Sequence, residues 1–545
     1  MEAKQVAEML GKAVDDNDFG AFNQHYLGFL KQFPAFEASY SKTPTDVPVT
    51  NAIFGQHGFY LKQTENAEAA RMVNESRAAS KIFGKLSVAE RLEFLNILEE
   101  KTEKYSDAIS LAITADTGKP MLIATKEMEK GKEWFDYARS QLEDQLGESA
   151  VGKYLTKNKP LGAAQVIGAY NYPYALAVGG MVGALGAGNG VIVSAPLKAP
   201  NWVFPFRKAA DEAIEAFIAK AKEDGKSWAD DLDKVKGGLI TNSVGVNRNL
   251  TADADAVHFV GGDATGKAIY DSRSIGRRNG VEMHRRTVLE MGGSNVVAVM
   301  ASAVETEGKD KEIAAKIFSG FGPATGQRCT APRILCVEEG AEGVIRELSD
   351  IADRGMSPNE IGNPFKDGVI MGPLVDKGAH QRMEAAIELA HKLGAEVHGE
   401  LRVGDNIVPQ ARAEGSYWVN PIVIDWSKVD LSHGDNAKQV HDCLKEEIFG
   451  PLIHIVHKVK DLDEAIATTN KYDSHGLAGA IFTARQEDAD RYIQETNITS
   501  ISVNEIPKDL SPGGKHGHPG LPKIGGNTHF LLYSDEISRQ GGITR

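Results

Sequence analysis

The spacing of apolar residues divides this chain into stretches with different periods. In RLEFLNILEEKTEKYSDAI, from Arg91, and after Pro120 in MLIATKEMEKGKEWFDYARSQL, apolar side chains recur every three or four positions. That spacing predicts amphipathic surface helices. Ser87 followed by Glu90 predicts a capping box at the start of the first. From about residue 164 the pattern changes to short apolar runs: AQVIGAYNYP, GVIVSAP, GGLITNSVG, AVHFVGG and TVLEMGGSNVVAVM. Helical segments such as PFRKAADEAIEAFIAKAKEDG separate them. Unbroken apolar strands alternating with helices predict a parallel sheet covered on both faces.

A second alternating series follows Glu290 and predicts another α/β domain, ending near residue 495. It runs through KDKEIAAKIFSGFG, RILCVEEG, RMEAAIELAHKLGAEVHG, YWVNPIVIDW, PLIHIVHKV, LDEAIATTN and LAGAIFTA. Residues 174–193 are uncharged for about the length of a membrane span. Their six glycines, and SAPLKAP directly after them, predict instead a buried helix turning into a buried strand. The charged run 220–237 predicts a solvent-facing helix extension or loop. TSISVNEIPKDLSPGGKHGHPG predicts a strand followed by a polar glycine-proline segment. Residues 1–60 form an N-terminal extension with no assigned role.

A length of 545 residues is too great for one core and implies two large lobes. The formal charge of -14, with no sustained basic run, argues against a nucleic-acid partner. Three cysteines do not make a disulfide framework, and the acidic N-terminus lacks a secretion leader. A cytoplasmic protein, not held in a membrane, is expected.

Cys329 lies in FSGFGPATGQRCTAPRIL beside Arg328 and small residues, whereas Cys336 and Cys443 adjoin apolar ones. A thiol beside a cation ionises more readily than one packed among leucines. Glu290 stands in TVLEMGGSN and Asn171 in GAYNYPYAL. Thiolate, carboxylate and amide are the three groups needed to turn an aldehyde into an acid through a thioester. The structural alternative is a tight turn around a buried cysteine.

Six segments, in order over roughly residues 70–510, resemble the aldehyde dehydrogenase superfamily: GAYNYPYAL, FVGGDATGK, LEMGG, GQRC, EEIFGP at 446–451 and GLAGAIFT at 476–483. The resemblance implies an α/β, aldehyde dehydrogenase-like fold with two α/β domains and a protruding β oligomerisation element. The cofactor-binding domain would comprise 61–142 and 163–290, and the catalytic domain 291–496. The protruding element and C-terminal tail would comprise 143–162 and 497–545, joining subunits into homodimers or homotetramers. NAD or NADP would be the cofactor, and a small-molecule aldehyde the substrate.

The same resemblance assigns roles. Cys329 is the nucleophile, and Asn171 stabilises the oxyanion with the Cys329 backbone N–H. Glu290 activates water, which disfavours transfer to coenzyme A. Glu447 and Phe449 hold the nicotinamide ribose and ring, and Gly261 and Gly266 bring backbone close to the pyrophosphate. Lys267 faces phosphate or solvent. Tyr172 and Tyr174 line the substrate tunnel or belong to the core. Arg328 orients a carboxylate-bearing substrate or points outward as a structural arginine.

Two departures stand out. The family usually grips the adenosine ribose with a lysine and a glutamate where this chain has Ser194 and Leu197. NAD versus NADP is therefore open, with Ser194 and Lys198 as candidates for a 2′-phosphate. The tail GGKHGHPGLPKIGGN fits the family only loosely. It places His516 and His518 in a polar loop, and no metal site is expected. NAD(P)-dependent aldehyde oxidation is the leading function, with a coenzyme A-acylating dehydrogenase or a catalytically silent protein of the same fold as alternatives.

Overall fold

The computed structural model describes residues 2–540 except 148, 152–153, 246, 274–275, 279–280, 284, 405, 413, 474, 508–511, 513–514, 517–523 and 526–528. The apolar runs of the first series form a five-stranded sheet, parallel throughout. Its order is Arg286–Glu290, Ala256–Val260, Ala163–Ile167, Gly190–Ala195 and Ile240–Val244. The three central strands are buried along their whole length, which is why they lack polar alternation. Residues 174–193 are the helix Pro173–Gly186 and the strand that follows, as expected. The glycines let this helix sit against its neighbours. A Cβ at Gly180 would lie 2.8 Å from the His258 ring, and one at Gly183 2.4 Å from the Tyr533 ring. Among the described residues no helix is long and apolar enough to cross a membrane.

The predicted surface helices are present at Val88–Lys104 and Met121–Leu146, and both hydrogen bonds of the Ser87–Glu90 capping box form. The run 220–237 ends one helix at Glu223 and contains another, Ala229–Val235.

The second series folds into a seven-stranded sheet. Its order is Glu396–His398, Ile422–Asp425, Leu452–Val459, Pro332–Glu338, Asn295–Val299, Ala478–Phe482 and Ser500–Val503. Only the Glu396–His398 edge pairs antiparallel. The sequence boundary at 497 therefore comes one strand early. Ser500–Val503 pairs with Ala478–Phe482 because the sheet's last crossover helix, Gln486–Glu495, delivers the chain to that edge. A separate antiparallel sheet joins Ser149–Val151, Tyr154–Pro160 and Ser534–Gln540, tying the tail to the 143–162 segment.

The N-terminal extension is built into the fold. It forms three helices and a small antiparallel sheet. Phe36 meets Phe204 edge-on at 5.2 Å in the cofactor lobe. On the other lobe, Asn363 Nδ2 donates to the Gly11 carbonyl at 2.7 Å and Gln410 Nε2 to that of Val14 at 2.5 Å. Residues 2–61 thus brace both lobes.

Candidate active site

Ala163–Ile167 lies mid-sheet, and the chain leaves it toward opposite sides: Gly190–Ala195 is its neighbour on one flank, Ala256–Val260 on the other. Loops at the carboxyl ends of such strands diverge and leave a crevice. Here it is a cleft of about 790 Å³ between the lobes, and Asn171, Glu290 and Cys329 all line it.

The loop carrying Cys329 is held in an unusual conformation. Ala324, Thr325 and Gly326 have φ of 55°, 57° and 62° in succession. A β-branched residue such as Thr325 adopts the left-handed region only under strain, and such strain persists where surrounding contacts fix it. Thr325 Oγ1 donates to the Gly372 carbonyl at 2.8 Å, and the Ala324 amide donates to that of Ile370 at 2.8 Å. Asn295 Nδ2 donates to the Cys329 carbonyl at 2.7 Å. The buried Arg333 guanidinium donates to the carbonyls of Gly450 at 2.5 Å, Gly326 at 2.6 Å and Arg328 at 3.2 Å. Burial lowers the Arg333 pKa to about 10, so it stays cationic at neutral pH. Burial pushes the thiols of Cys336 and Cys443 up to about 12, which keeps both protonated. Cys329 is half-buried and faces the cleft.

Asn171 sits just before the helix Pro173–Gly186 and is 9 % exposed. Its carbonyl accepts from Lys119 Nζ at 2.9 Å. Lys119 also pairs with Glu127 at 2.6 Å and lies 3.6 Å from the centre of the Tyr172 ring. Tyr174 is a core residue, packed against Trp202 and Phe206 rather than lining the cleft. Tyr172 is likewise buried and outside this cleft's lining, its ring against Lys119. The aromatic residue of this loop that does line the cleft is Tyr170. Its hydroxyl donates to Gln327 Oε1 at 3.1 Å, and its ring meets Phe449 at 6.0 Å.

Glu290 ends its strand, 4 % exposed, and its carbonyl accepts from the Gly261 amide at 3.0 Å. Gly261 lines the cleft, whereas Gly266 is buried, where a Cβ would lie 2.7 Å from Met291 Sδ. Glu447 and Phe449 line the opposite wall. The Glu447 carboxylate occupies the space a side chain at Gly292 would need and accepts from the Gly293 amide at 3.2 Å. Burial raises the Glu447 pKa, opposed by the Arg333 charge and that amide bond.

At the outer end of the cleft the chain departs from expectation. Ser194 is fully buried, its hydroxyl hydrogen-bonded to the side chains of Gln165 and Ser243, each at 2.8 Å. Leu197, 48 % exposed, lines the cleft instead. Lys198 also lines it, but its ammonium pairs with Asp376 of the facing lobe and lies 5.0 Å from the Tyr170 ring centre. Lys267 is exposed and pairs with Asp271 at 3.0 Å. Arg328 is half-buried beside Cys329 and is not part of the cleft lining. His516 lies in the short strand Lys515–His516, and His518 falls outside the described residues.

A dinucleotide fits this cleft in shape and chemistry. The volume suffices, the space beside Gly262 is open, and Phe449 and Tyr170 offer aromatic walls. Sequence reasoning missed Lys119, Glu127, Tyr170, Arg333 and Asp376. Arg333 left a signal, a charge opening an otherwise apolar strand, and Lys119 stands in a GKP turn.

Known proteins place this geometry in context. A sequence model of the aldehyde dehydrogenase family matches residues 39–517. An alpha-ketoglutarate semialdehyde dehydrogenase of Haloferax volcanii is 28 % identical over 454 residues, 82 % of this chain and 84 % of its own. A probable acylating methylmalonate-semialdehyde/malonate-semialdehyde dehydrogenase of Caenorhabditis elegans is 26 % identical, with 86 % and 82 % covered. Among solved structures, betaine aldehyde dehydrogenase from Staphylococcus aureus superposes with a TM-score of 0.75 at 20 % identity, covering 94 % of this chain and 95 % of that one. Lactaldehyde dehydrogenase from Escherichia coli gives 0.74 at 20 % identity, with 92 % and 97 % covered. With two α/β lobes, a cleft between them and a sequence match across most of its length, the chain belongs to the aldehyde dehydrogenase family.

Proposed function

We infer that the protein oxidises an aldehyde to its carboxylic acid with NAD or NADP, through a thioester on Cys329. The observation that carries this reading is the convergence of Cys329, Glu290 and Asn171, distant in sequence, on one cleft. The Cys329 thiolate attacks the aldehyde carbon to form a thiohemiacetal, and the Asn171 side-chain amide and the Cys329 N–H hold the oxyanion. The oxidised nicotinamide, when bound, supplies the acceptor for the hydride whose loss leaves the thioester. Glu447 and Phe449 would hold its ribose and ring, and Gly261 would let the pyrophosphate approach backbone. Glu290 then takes a proton from water, the water oxygen bonds to the thioester carbon, and the acid leaves as Cys329 regains its thiolate.

Semialdehydes stand first among substrates, because the curated relatives carry that word in their names. Arg328, next to the nucleophile, is the candidate partner for a substrate carboxylate. A homodimer or homotetramer is proposed, with the Ser149–Val151, Tyr154–Pro160 and Ser534–Gln540 sheet as the joining element. Light scattering of the purified protein tests that assembly.

The test of activity is cofactor reduction with a panel of aldehydes, NAD and NADP in parallel, with C329A and E290Q as controls. Turnover lost in C329A, and limited to one equivalent in E290Q, is expected. Acyl transfer to added coenzyme A in place of acid release would favour the acylating alternative. Absence of both turnover and dinucleotide binding would sink the enzymatic reading.

A further inference from the structure

The helix Met121–Leu146 and the turn before it carry a buried ion pair behind the Asn171 loop. Lys119 and Glu127 side chains are 6 % and 0 % exposed and meet at 2.6 Å. Burying two charges is costly unless their remaining hydrogen-bonding capacity is used, and here both partners spend some of it on one loop. Lys119 Nζ donates to the Asn171 carbonyl at 2.9 Å and caps the Tyr172 ring at 3.6 Å. Glu127 Oε1 accepts from the amides of Tyr174 at 2.8 Å and Ala175 at 3.1 Å, in the first turn of the helix that follows. The loop is therefore gripped on both sides of Asn171.

The same turn reaches the nucleophile. A Cβ on Gly372 would lie 1.9 Å from the Gly118 carbonyl oxygen, so the two backbones are in tight contact. Gly372 in turn exchanges two hydrogen bonds with Thr325, at 2.8 and 3.1 Å, in the strained loop that presents Cys329. Gly118 and Lys119 are adjacent, and between them they touch the supports of both groups.

We propose that Lys119 and Glu127 are positioning residues that set the Asn171 side-chain amide against Cys329 for oxyanion binding. This rests on the reading of Cys329 as nucleophile and Asn171 as oxyanion donor. The pair itself touches no reacting atom.

The test needs neither cofactor nor natural substrate. p-Nitrophenyl acetate acylates a thiolate through a tetrahedral oxyanion: sulfur bonds to the acetyl carbon and p-nitrophenolate leaves. Iodoacetamide alkylates the same sulfur by displacing iodide, with no oxyanion. The charge-neutral variant K119M/E127Q retains an acceptor for both helix amides. Its nitrophenolate burst is expected to slow on the order of 100-fold, with Cys329 alkylation changed less than about 2-fold. N171A is expected to slow the burst similarly, and adding K119M/E127Q to N171A to cost little more, since groups acting through one another are non-additive. Should the paired variant not fold, E127Q alone is expected to slow the burst in the same sense with alkylation intact. An unchanged burst in the folded variant while N171A is slow, or fully multiplicative losses, would overturn the proposal. A fast N171A beside a dead C329A would instead overturn the oxyanion reading on which it stands.

Discussion

Arg333 donates to the carbonyl of Arg328 at 3.2 Å, so the cation four residues after Cys329 folds back beneath the loop that carries Cys329. Its guanidinium lies 5.6 Å from the Phe449 ring centre and bonds the Gly450 carbonyl. One buried charge thereby links the Cys329 loop to the wall that carries Glu447 and Phe449. It also interacts electrostatically with Cys329.

Removing that charge takes away an electrostatic partner of the Cys329 sulfur. R333M is expected to slow iodoacetamide alkylation at pH 7 several-fold, because a nearby cation favours the attacking thiolate. R333K keeps the cation but cannot make three planar bonds, so it should keep the alkylation rate while lowering the melting temperature. Equal alkylation by R333M and wild type across pH 6–9 would remove the electrostatic role.

The strands of both sheets were legible in the sequence because burial on both faces leaves unbroken apolar runs, and Cys329 stood out because its neighbours are charged or small. Tyr174 was ambiguous for a physical reason. Its ring packs on Trp202 and Phe206, contacts that come from a helix far along the chain, so local spacing held no trace of them. Ser194 stands where the resembled family carries its ribose-binding lysine, and its full burial against Gln165 and Ser243 left no trace in the local sequence. The Lys119–Glu127 pair is similar: a charged turn and a charged helix look solvated until the Asn171 loop closes over them.

Leu197 bears on cofactor choice. It lines the cleft, 48 % exposed, where related proteins usually carry a glutamate for the adenosine ribose. A carboxylate there repels a 2′-phosphate and accepts hydrogen bonds from a free ribose diol. L197E is therefore expected to lower kcat/KM for NADP relative to NAD by about 10-fold or more, with stability within about 0.5 kcal/mol of wild type as at other exposed positions. Steady-state kinetics with both cofactors read this directly, and an unchanged ratio would show that Leu197 does not face the ribose.

A second ion pair spans the cleft mouth, His475 Nε2 to Asp263 Oδ2 at 2.5 Å. Burial lowers the His475 pKa, but the Asp263 carboxylate outweighs it and the net shift is upward; Glu447 and Asp473 add to the raise. A raised histidine stabilises the fold fully below its unfolded pKa, near 6.5, and loses that contribution as pH rises through the folded value. H475Q should thus cost stability at pH 6 and little at pH 9. Because Asp263 is 55 % exposed, solvent screens the pair, and the cost should be about 1 kcal/mol or less. Melting curves at the two pH values decide it: an equal loss at both would assign the residue a packing role only.

The N-terminal brace has a titratable anchor of opposite sign. Tyr26 donates its hydroxyl to Asp116 at 2.7 Å, and Asn201 donates its side-chain amide at 2.7 Å and its backbone amide at 2.9 Å to the same carboxyl. Complete burial pushes Asp116 up to about 7, against the pull of those three donors. A carboxyl raised this way holds a proton in the folded protein that the unfolded chain has already released. Its contribution to stability is therefore largest below the unfolded value of about 3.9, falls as pH rises toward 7, and is flat above. The slope it adds is at most about 1.4 kcal/mol per pH unit. D116N abolishes the titration, so the stability of wild type relative to D116N should decline between pH 4 and 7 and then level off. Y26F removes one donor to the carboxylate and should cost about 1–3 kcal/mol at pH 8, where Asp116 is ionised, and less at pH 5, where it is protonated. Urea unfolding of the three proteins from pH 4 to 8 measures both differences. Parallel stability curves for wild type and D116N would mean that Asp116 keeps an ordinary carboxylate pKa and that the brace is held without titration.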